Sequence, residues 1–529
     1  MILWAVLFVV YLFYKWSTSK FNYFAQAGVP FEKPLPLVGN VLNVVLQRES
    51  IVDLVNRSYY KFKGSKIYGF FNFTQVTYVL TDAELIKRIT IKDFDHFVNH
   101  NEILDNFDRI FSKTLFGLHG QKWKDMRTIL SPMFTSSKMK MMFGLLSKAA
   151  DDFIPHFEKK AGSDGNNDID VLEIFSRFTA DGISTAALGF EADCVKNEDS
   201  DIYKIVKKVL RDFDGSNAFK FIIAFMLPKL YHLLGLQLIS KGNVEFFQHV
   251  VIDVMNERDS KNISRPDVIQ LMLEAKKGHL QVKENEEAND KELDGFAAHE
   301  ELSLKSNVKN RKEIVDDDEY WLAQGFIFFI AGFDTTSNLL QSITFHLSKN
   351  PDIQEELYRE ISEVNATLNG EPVTYEALHK MKYLDMVVSE GLRVQPPAPQ
   401  MDRQCTKDYQ MDLGNGKSIA IKKGDIVLLP FYSLHHDAEY FPNPEKFDPS
   451  RFSPENKSSI VVGSYLPFGI GPRACIGSRF ALMEAKLMLF NVVGNFKISP
   501  SPRTQEKLTF EPNLTQRIKG KIHLNFKRR

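Results

Sequence analysis

The first eighteen residues of the chain have the pattern of a membrane-spanning helix. Residues 1–14 are apolar without interruption, and Lys15 and Lys20 follow them. At about 1.5 Å per residue, a helix running to Thr18 spans about 27 Å, close to the thickness of the endoplasmic reticulum bilayer. No basic residue precedes the run, and the nearest Ala-x-Ala site lies past its end, which argues against a cleaved signal peptide. Because the lysines follow the apolar run, the positive-inside rule places the rest of the chain in the cytosol.

A proline-rich strap over residues 19–40 follows this anchor, and residues 41–529 form the predicted body. Three prolines at short spacing make the strap stiff, so that it either fixes the tilt of the body or is an ordinary connector. In the body, alternating apolar and polar residues over 66–82 predict two strands of a small sheet. Helical periodicity dominates residues 100–350. The pattern therefore predicts a mainly α fold with a small β subdomain.

Two further segments depart from this helical pattern. Residues 276–313 are rich in Lys, Glu, Asp and Asn, which predicts a solvated loop between helices. Residues 218–241 are strongly apolar and are interrupted at Pro228. We favour a buried helix for this segment, with a second contact at the membrane surface as the alternative.

Composition excludes several classes of protein. The chain has 529 residues, of which 44% are hydrophobic and 25% charged, and its formal net charge is −1, so no overall field favours nucleic acid. Only three cysteines occur, far apart in the sequence, which excludes a disulfide scaffold and an all-cysteine metal centre. Six Asn-x-Ser/Thr triplets are present, but they carry no meaning in the cytosol.

The densest chemical signal is the stretch that begins at Phe468 and ends at Gly477. Glycines within it, such as Gly469, let the backbone approach a flat ligand closely. An apolar helical segment follows immediately, so Cys475 lies just before a helix N-terminus, where backbone N–H groups stabilise a thiolate. Such a thiolate is a suitable axial ligand for haem iron, and Arg473 can pair with a haem propionate. The alternative is a buried structural cysteine, which five coinciding positions make very improbable.

A second motif lies in the middle of a helix predicted over residues 320–349, about 45 Å long. Ala331, Asp334 and Thr335 share one face through their i, i+3 and i+4 spacing. The glycine after Ala331 leaves room for dioxygen, and a threonine beside a carboxylate can relay protons. Alone, such a polar triplet is more typical of solvated surface. The flanking residues 326–330 are all apolar, so we expect the stretch to be buried all round.

With these motifs the chain resembles the cytochrome P-450 haem-thiolate monooxygenases, whose signature Phe-x-x-Gly-x-Arg-x-Cys-x-Gly is matched at every fixed position. The resemblance covers essentially the whole chain and implies a fold with a central long helix and a buried haem. It assigns the oxygen-activating alcohol to Thr335. The proline run after Arg393 and the phenylalanine richness resemble insect microsomal members of families six and nine, many of which clear plant toxins and insecticides.

The resemblance also implies a structural triad and a set of propionate partners. The triad falls on Glu390, Arg393 and Arg451, and it fixes the cysteine loop. Ser450 stands where the family often has Glu, a mild departure. Trp123 and Arg127, at i, i+4 on a helix, suit the propionates, although without the family a core Trp beside a surface Arg is the simpler interpretation. A further basic partner remains unassigned between Gln400 and Arg403.

The expected reaction inserts one oxygen atom of O2 into an apolar substrate and reduces the other to water. The implied cofactor is haem b (iron protoporphyrin IX). The implied electron donor is NADPH–cytochrome reductase, with a cytochrome b-type protein as a further donor. The expected docking face for the reductase carries four lysines: Lys122, Lys124, Lys138 and Lys140. The alternatives are an endogenous lipid or hormone hydroxylase, a reductase-independent haem-thiolate isomerase or dehydratase, and a haem sensor; no interaction with nucleic acid is expected.

Overall fold

The computed structural model describes residues 2–101, 108–162, 165–212, 220, 223, 227–237, 239–280, 308–513 and 517–529. Helices dominate this part of the chain, as predicted. They are α1 Ile2–Thr18, α2 Tyr23–Gln26, α3 Leu42–Val45, α4 Ile51–Lys61, α5 Ala83–Lys87, α6 Gly120–Leu130, α7 Ser136–Ala161, α8 Val171–Ile183, α9 Asp201–Asp212, α10 Pro228–Leu233, α11 Lys241–Phe247, α12 Val254–Lys261, α13 Val268–Lys276, α14 Val308–Asp316, α15 Asp318–Lys349, α16 Pro351–Leu368, α17 Tyr375–Lys380, α18 Lys382–Val394, α19 Phe431–His435 and α20 Ser478–Asn495.

Small sheets lie beside the helices. The strands are β1 Ile67–Asn72, β2 Gln75–Leu80, β3 Ile169–Asp170, β4 Met401–Gln404, β5 Tyr409–Gly414, β6 Lys417–Ile421, β7 Ile426–Leu429, β8 Phe496–Pro500 and β9 His523–Arg528. Their orders are β1-β2-β7-β4, β3-β9-β8 and β5-β6. β1 and β2 pair antiparallel with Asn72 opposite Gln75, which confirms the two strands predicted for 66–82. β4 pairs with β7 and also meets Asn99 through Gln404, so the segment before α6 lies beside this strand.

The central helix α15 organises the body. It begins after Asp317, whose carboxylate accepts a hydrogen bond of 2.9 Å from the Glu319 N–H, and ends before Pro351. Its 32 residues span about 48 Å. Helices α8, α18 and α20 pack along it. Helix α20 places the cysteine loop, which precedes it directly, near the middle of α15.

The N-terminal helix α1 stands apart from this core. Its apolar side chains from Ile2 to Trp16 are largely exposed, and residues Ile2–Gln26 include a stretch long and apolar enough to span a membrane, as judged by length and composition. The strap that follows is joined to the edge of β1, because Gly69 donates to Pro30 O at 2.8 Å and Asn40 donates to Phe71 O at 2.9 Å. These bonds favour a strap that fixes the anchor to the body over a loose connector.

The structure corrects two predictions about segments. A buried helix was expected within 218–241, but in α10 and the turn after it Leu233 and Leu234 are 82% and 55% exposed, with only Tyr231 and a few other residues covered. Parts of this segment lie outside the described residues, as do residues 281–307 of the predicted loop. That loop is also shorter than predicted, because helix α14 already begins at Val308.

Candidate active site

The cysteine loop is a tight turn, and at one position in this turn the backbone accepts only glycine. The Cys475 N–H donates to Phe468 O at 2.8 Å and closes the loop. Gly471 has a φ of +79°, and a Cβ there would lie 2.0 Å from Thr90 O. Gly477 differs, because its φ is negative and the nearest atom to a Cβ would be Phe134 Cε1 at 3.9 Å. Since the protein itself does not require glycine at 477, the open space beside it fits a flat ligand.

Cys475 faces this space. Its side chain is exposed although Ala474 and Ser478 are buried. Burial nevertheless raises the pKa of the Cys475 thiol, while the backbone N–H of Gly477 and the Arg127 charge oppose that rise. The Cys475 side chain has free space beside it, yet protein surrounds it on all sides. It therefore faces an internal cavity. Burial therefore works against the thiolate that the helix N-terminus favours, and a bound metal cation would favour the thiolate.

The middle of α15 is open on one side, contrary to the prediction that it is buried all round. Phe326 and Phe329 are buried, but Phe328 is only partly buried and Ala331 is exposed. The reason is a cavity: the Phe328 ring lies 5.4 Å from that of Phe134, which itself borders Gly477. One layer of side chains thus separates the open face of α15 from the cysteine loop.

One detail of the α15 motif differs from expectation. A Cβ at Gly332 would lie 2.6 Å from Ile183 Cδ1, so this glycine admits a neighbouring helix rather than dioxygen, and the room lies beside Ala331 instead. Thr335 donates its hydroxyl hydrogen to Ala331 O at 2.6 Å. Asp334 lies 3.9 Å from the guanidinium of Arg517, which comes from the C-terminal loop. Asp334 and Thr335 therefore stand together at the open face, as predicted.

The predicted propionate partners gather around the cysteine loop. The Arg473 guanidinium lies 4.1 Å from the centre of the buried Trp123 ring. Its Nε donates to Val98 O at 2.8 Å and its Nη2 donates to Leu118 O at 2.6 Å. Arg127 donates to Ala474 O at 3.0 Å. Backbone carbonyls thus hold both guanidinium groups in place beside the loop.

Arg403, which sequence reasoning left unassigned, is the strongest indication of an anionic ligand. It is 1% exposed, and its Nε has no hydrogen-bond partner among the described residues. Burial lowers the pKa of Arg403 to about 10. On the neighbouring position of β4, Asp402 pairs with His100 Nδ1 at 2.9 Å. A buried guanidinium with an unused donor needs an acceptor, and a haem carboxylate supplies one, so the residues present fit a haem.

The structural triad forms as the resemblance implied. Arg393 donates to both carboxylate oxygens of Glu390, at 2.7 and 2.8 Å, and both side chains are fully buried. Arg451 Nε lies 3.6 Å from Glu390. The link to the cysteine loop was missed from the sequence: Arg393 donates to His435 O at 2.8 Å, and His435 Nε2 accepts from the Leu466 N–H at 2.8 Å. Burial lowers the pKa of His435 far below its usual value, which keeps it a neutral acceptor.

The lysines expected to form a docking face are largely paired. Lys122 lies 2.8 Å from Glu313 and Lys124 lies 2.9 Å from Asp95. Lys140 pairs with Glu376. Carboxylates on the same surface thus partly compensate the charge of these three lysines, and the docking face remains a prediction.

Comparison with known proteins agrees with this site. The family model described as cytochrome P-450 matches residues 29–299 and 296–526. The chain is 40% identical to cytochrome P-450 9b2 of Drosophila melanogaster, over 95% of this chain and 94% of the relative. It is 39% identical to cytochrome P-450 9e2 of Blattella germanica, over 94% and 92%. It is 34% identical to the probable cytochrome P-450 6a14 of Drosophila melanogaster, over 95% and 94%.

Proposed function

The chain belongs to the cytochrome P-450 family and is a monooxygenase, and we propose that it oxidises small apolar xenobiotics, such as plant toxins or insecticides. The observation that carries the proposal is the position of Cys475: its side chain opens into an internal cavity that the exposed face of α15 borders. The partly buried apolar side chains on that face, including Phe328, suit an apolar substrate. The similarity to members of families six and nine supports the xenobiotic class.

In this proposal the bound cofactor is haem b, which supplies the oxidative chemistry. Cys475 would bind its iron through sulfur, and Arg403, Arg473, Arg127 and Trp123 would hold its carboxylates. Phe468, Gly469, Gly477 and Ala331 line the space around it. The triad acts at a distance, because its bonds through His435 hold the backbone just before Phe468.

We assign proton handling to Thr335 and Asp334. The Thr335 hydroxyl donates its hydrogen to Ala331 O, so its oxygen is left as an acceptor that can hold a proton-carrying water at the open face. The Arg517 guanidinium lies 3.9 Å from Asp334 and helps to hold that side chain in place. A haem-thiolate isomerase or dehydratase has no use for such a pair, which favours the monooxygenase.

The proposed electron donor is NADPH–cytochrome reductase, with a cytochrome b-type protein as a second donor. We place the enzyme at the cytosolic face of the endoplasmic reticulum membrane, anchored by α1. The exposed apolar surface of α1 and the lysines that follow it support this topology.

The test uses the purified full-length protein with its reductase, NADPH and O2. We expect NADPH consumption that depends on an apolar substrate, together with the red-shifted Soret band of the ferrous carbonyl species. A panel of plant toxins, insecticides, fatty acids and steroid hormones then distinguishes the substrate classes by their binding spectra. Tight binding and turnover of the endogenous lipids alone would overturn the xenobiotic assignment. Turnover without the reductase would overturn the monooxygenase mechanism.

A further inference from the structure

Glu484 is a fully buried acid for which no role is yet apparent. It lies on α20 with 0% exposure, and neither carboxylate oxygen has a hydrogen-bond partner among the described residues. Thr336 on α15 faces it, and the hydroxyl of that residue is likewise buried without a partner of good geometry. Gly182 on α8 completes the pocket, since a Cβ there would lie 2.8 Å from Glu484 Oε1. Three unsatisfied polar atoms thus meet where three helices cross.

Among the residues that the structure describes, no charged side chain compensates this carboxyl group. Burial raises the pKa of Glu484 to about 8, and the only other influence is the Thr336 hydroxyl. Several titratable groups on the surrounding helices have other partners. These pairs are Lys486 with Asp385, Glu390 with Arg393, Lys140 with Glu376, Asp334 with Arg517, Glu360 with the Tyr383 N–H, and Asp181 with the Cys194 N–H. At neutral pH the group is therefore a carboxylic acid that carries a proton.

We propose that Glu484 is a proton-holding residue that serves the α15 motif from the core side through Thr336. This inference rests on the proposed monooxygenase function. Thr336 is buried on the core side of α15, whereas its neighbour Thr335 stands at the open face. Asp334, on α15 itself, faces Arg517 of the C-terminal loop, so Glu484 and Asp334 lie on different sides of the motif.

The step balances as a proton transfer. The Glu484 O–H bond breaks, and a bond forms to the Thr336 hydroxyl oxygen or to a water held between them. That group releases its own proton to the Thr335 hydroxyl oxygen, which gives up its original hydrogen toward the cavity, or to a water beside it. The carboxylate that remains regains a proton from solvent water between turnovers. Glu484 acts only through Thr336 and is thus a positioning residue rather than a catalytic one.

The test compares the full-length holoprotein with Glu484→Gln, which keeps the shape of the side chain but has no proton to give. Infrared difference spectra of the two proteins should show a protonated carboxyl stretch that vanishes as the pH rises through about 8. With reductase, the share of electrons lost to hydrogen peroxide should be severalfold higher in the variant at pH 7. In the unaltered protein, the share of electrons lost to hydrogen peroxide should increase above pH 8 and approach the value of the Glu484→Gln variant.

Two further variants separate proton transfer from packing. Thr336→Val should raise peroxide loss in the same way while the infrared band persists at a shifted frequency. Gly182→Ala should crowd the carboxyl and shift that band. A missing protonated band, or equal peroxide loss in Glu484→Gln at every pH from 6 to 9, overturns the proposal. A wild-type protein that lacks the ferrous carbonyl band or NADPH turnover overturns the proposed function instead, and the infrared titration alone then decides whether Glu484 holds a proton.

Discussion

The two walls of the candidate active site are built in opposite ways. Behind the cysteine loop, Arg393 is fully buried and donates hydrogen bonds to Glu390, His435 O, Pro444 O and Lys446 O. Across the cavity, Ala331 is exposed, and Thr335 bonds only to the backbone of its own helix. One wall is fixed by many buried bonds, whereas the other keeps an open apolar surface with a few polar groups.

This difference agrees with the proposed role of each wall. A residue proposed to bind the haem iron must hold one position, and the loop that carries Cys475 is tied to α18 through His435 and the triad. A surface that meets varied apolar substrates benefits from side chains with free space beside them. We therefore expect substitutions in the fixed wall to remove the holoprotein, and substitutions in the open wall to change only how the reaction proceeds.

The largest effect should come from Glu390→Ala. This change leaves the buried Arg393 guanidinium without its counter-ion, which costs about 3–5 kcal/mol, a large part of the stability of a typical protein. We expect little or no haem-containing protein in expression trials, measured by absorbance against total protein. Arg451→Gln is the matched control, because Arg451 lies 3.6 Å from Glu390 and is partly exposed. Equal losses in the two variants would contradict the dominant role of the Glu390–Arg393 pair.

Cys475→Ala tests the same wall at the ligand itself. The side chain is small and opens into a cavity, so we expect the protein to fold with little loss of stability. The red-shifted Soret band of the ferrous carbonyl species should be absent, because it reports a thiolate ligand. Cys194→Ala, at a buried cysteine with no place in the site, should keep that band. A normal band in the Cys475 variant would exclude this residue as the ligand.

Much of the fixed wall could be predicted from the sequence, because its motif is local. The stretch ending at Gly477 and the Glu390–Arg393 pair each lie within a few residues, and turn chemistry or helical spacing defines them. His435 was not identified and Arg403 was left without a role, since both roles depend on contacts between distant segments. Alternation along β4 could not have revealed Arg403, because burial there does not alternate: Met401 and Asp402 are partly buried, whereas Arg403 and Gln404 are both buried.

The open wall was predicted less well, and the reason is physical. The run 326–330 is apolar, and apolar residues that cover a core have the same pattern as those that line a cavity. Glycine is equally ambiguous: the sequence suggested space for a ligand at Gly332, but Ile183 fills it. Whether a small residue admits a ligand or another helix is decided by tertiary packing.

Low pH should lower the free energy of unfolding through buried histidines. Burial lowers the pKa of His435 far below 6.5, that of His346 to about 3 and that of His436 to about 4. Below about pH 6.5 the unfolded chain binds protons at these residues and the folded chain does not, so stability falls as the pH falls, by about 1.4 kcal/mol per group and pH unit. Thermal unfolding from pH 7 to 5 measures this loss. A melting temperature that is constant or rises toward pH 5 would contradict it.

Thr335→Ala should have a smaller effect, confined to the open wall. We expect haem binding and the ferrous carbonyl band to persist, while part of the reducing equivalents goes to hydrogen peroxide, because waters and other hydroxyls still deliver protons. Peroxide and product are measured against NADPH consumed. Thr344→Ala is the control: its hydroxyl bonds Leu340 O in the same way, at 2.8 Å, but is buried in the core. Unchanged coupling in the Thr335 variant would remove its special role.

The smallest effect on either wall should follow deletion of residues 1–18. Helix α1 is largely exposed, and the site residues all come after the strap. We expect haem binding to survive while much of the protein moves from the membrane to the soluble fraction. Residual binding that resists high salt is expected from the exposed Leu233 and Leu234, because an apolar contact is not screened. Adding Leu233→Asp and Leu234→Asp to the deletion should then release that fraction. If the deletion alone is fully soluble, α10 does not contact the membrane; if the full-length protein is secreted and glycosylated, the cytosolic topology is wrong.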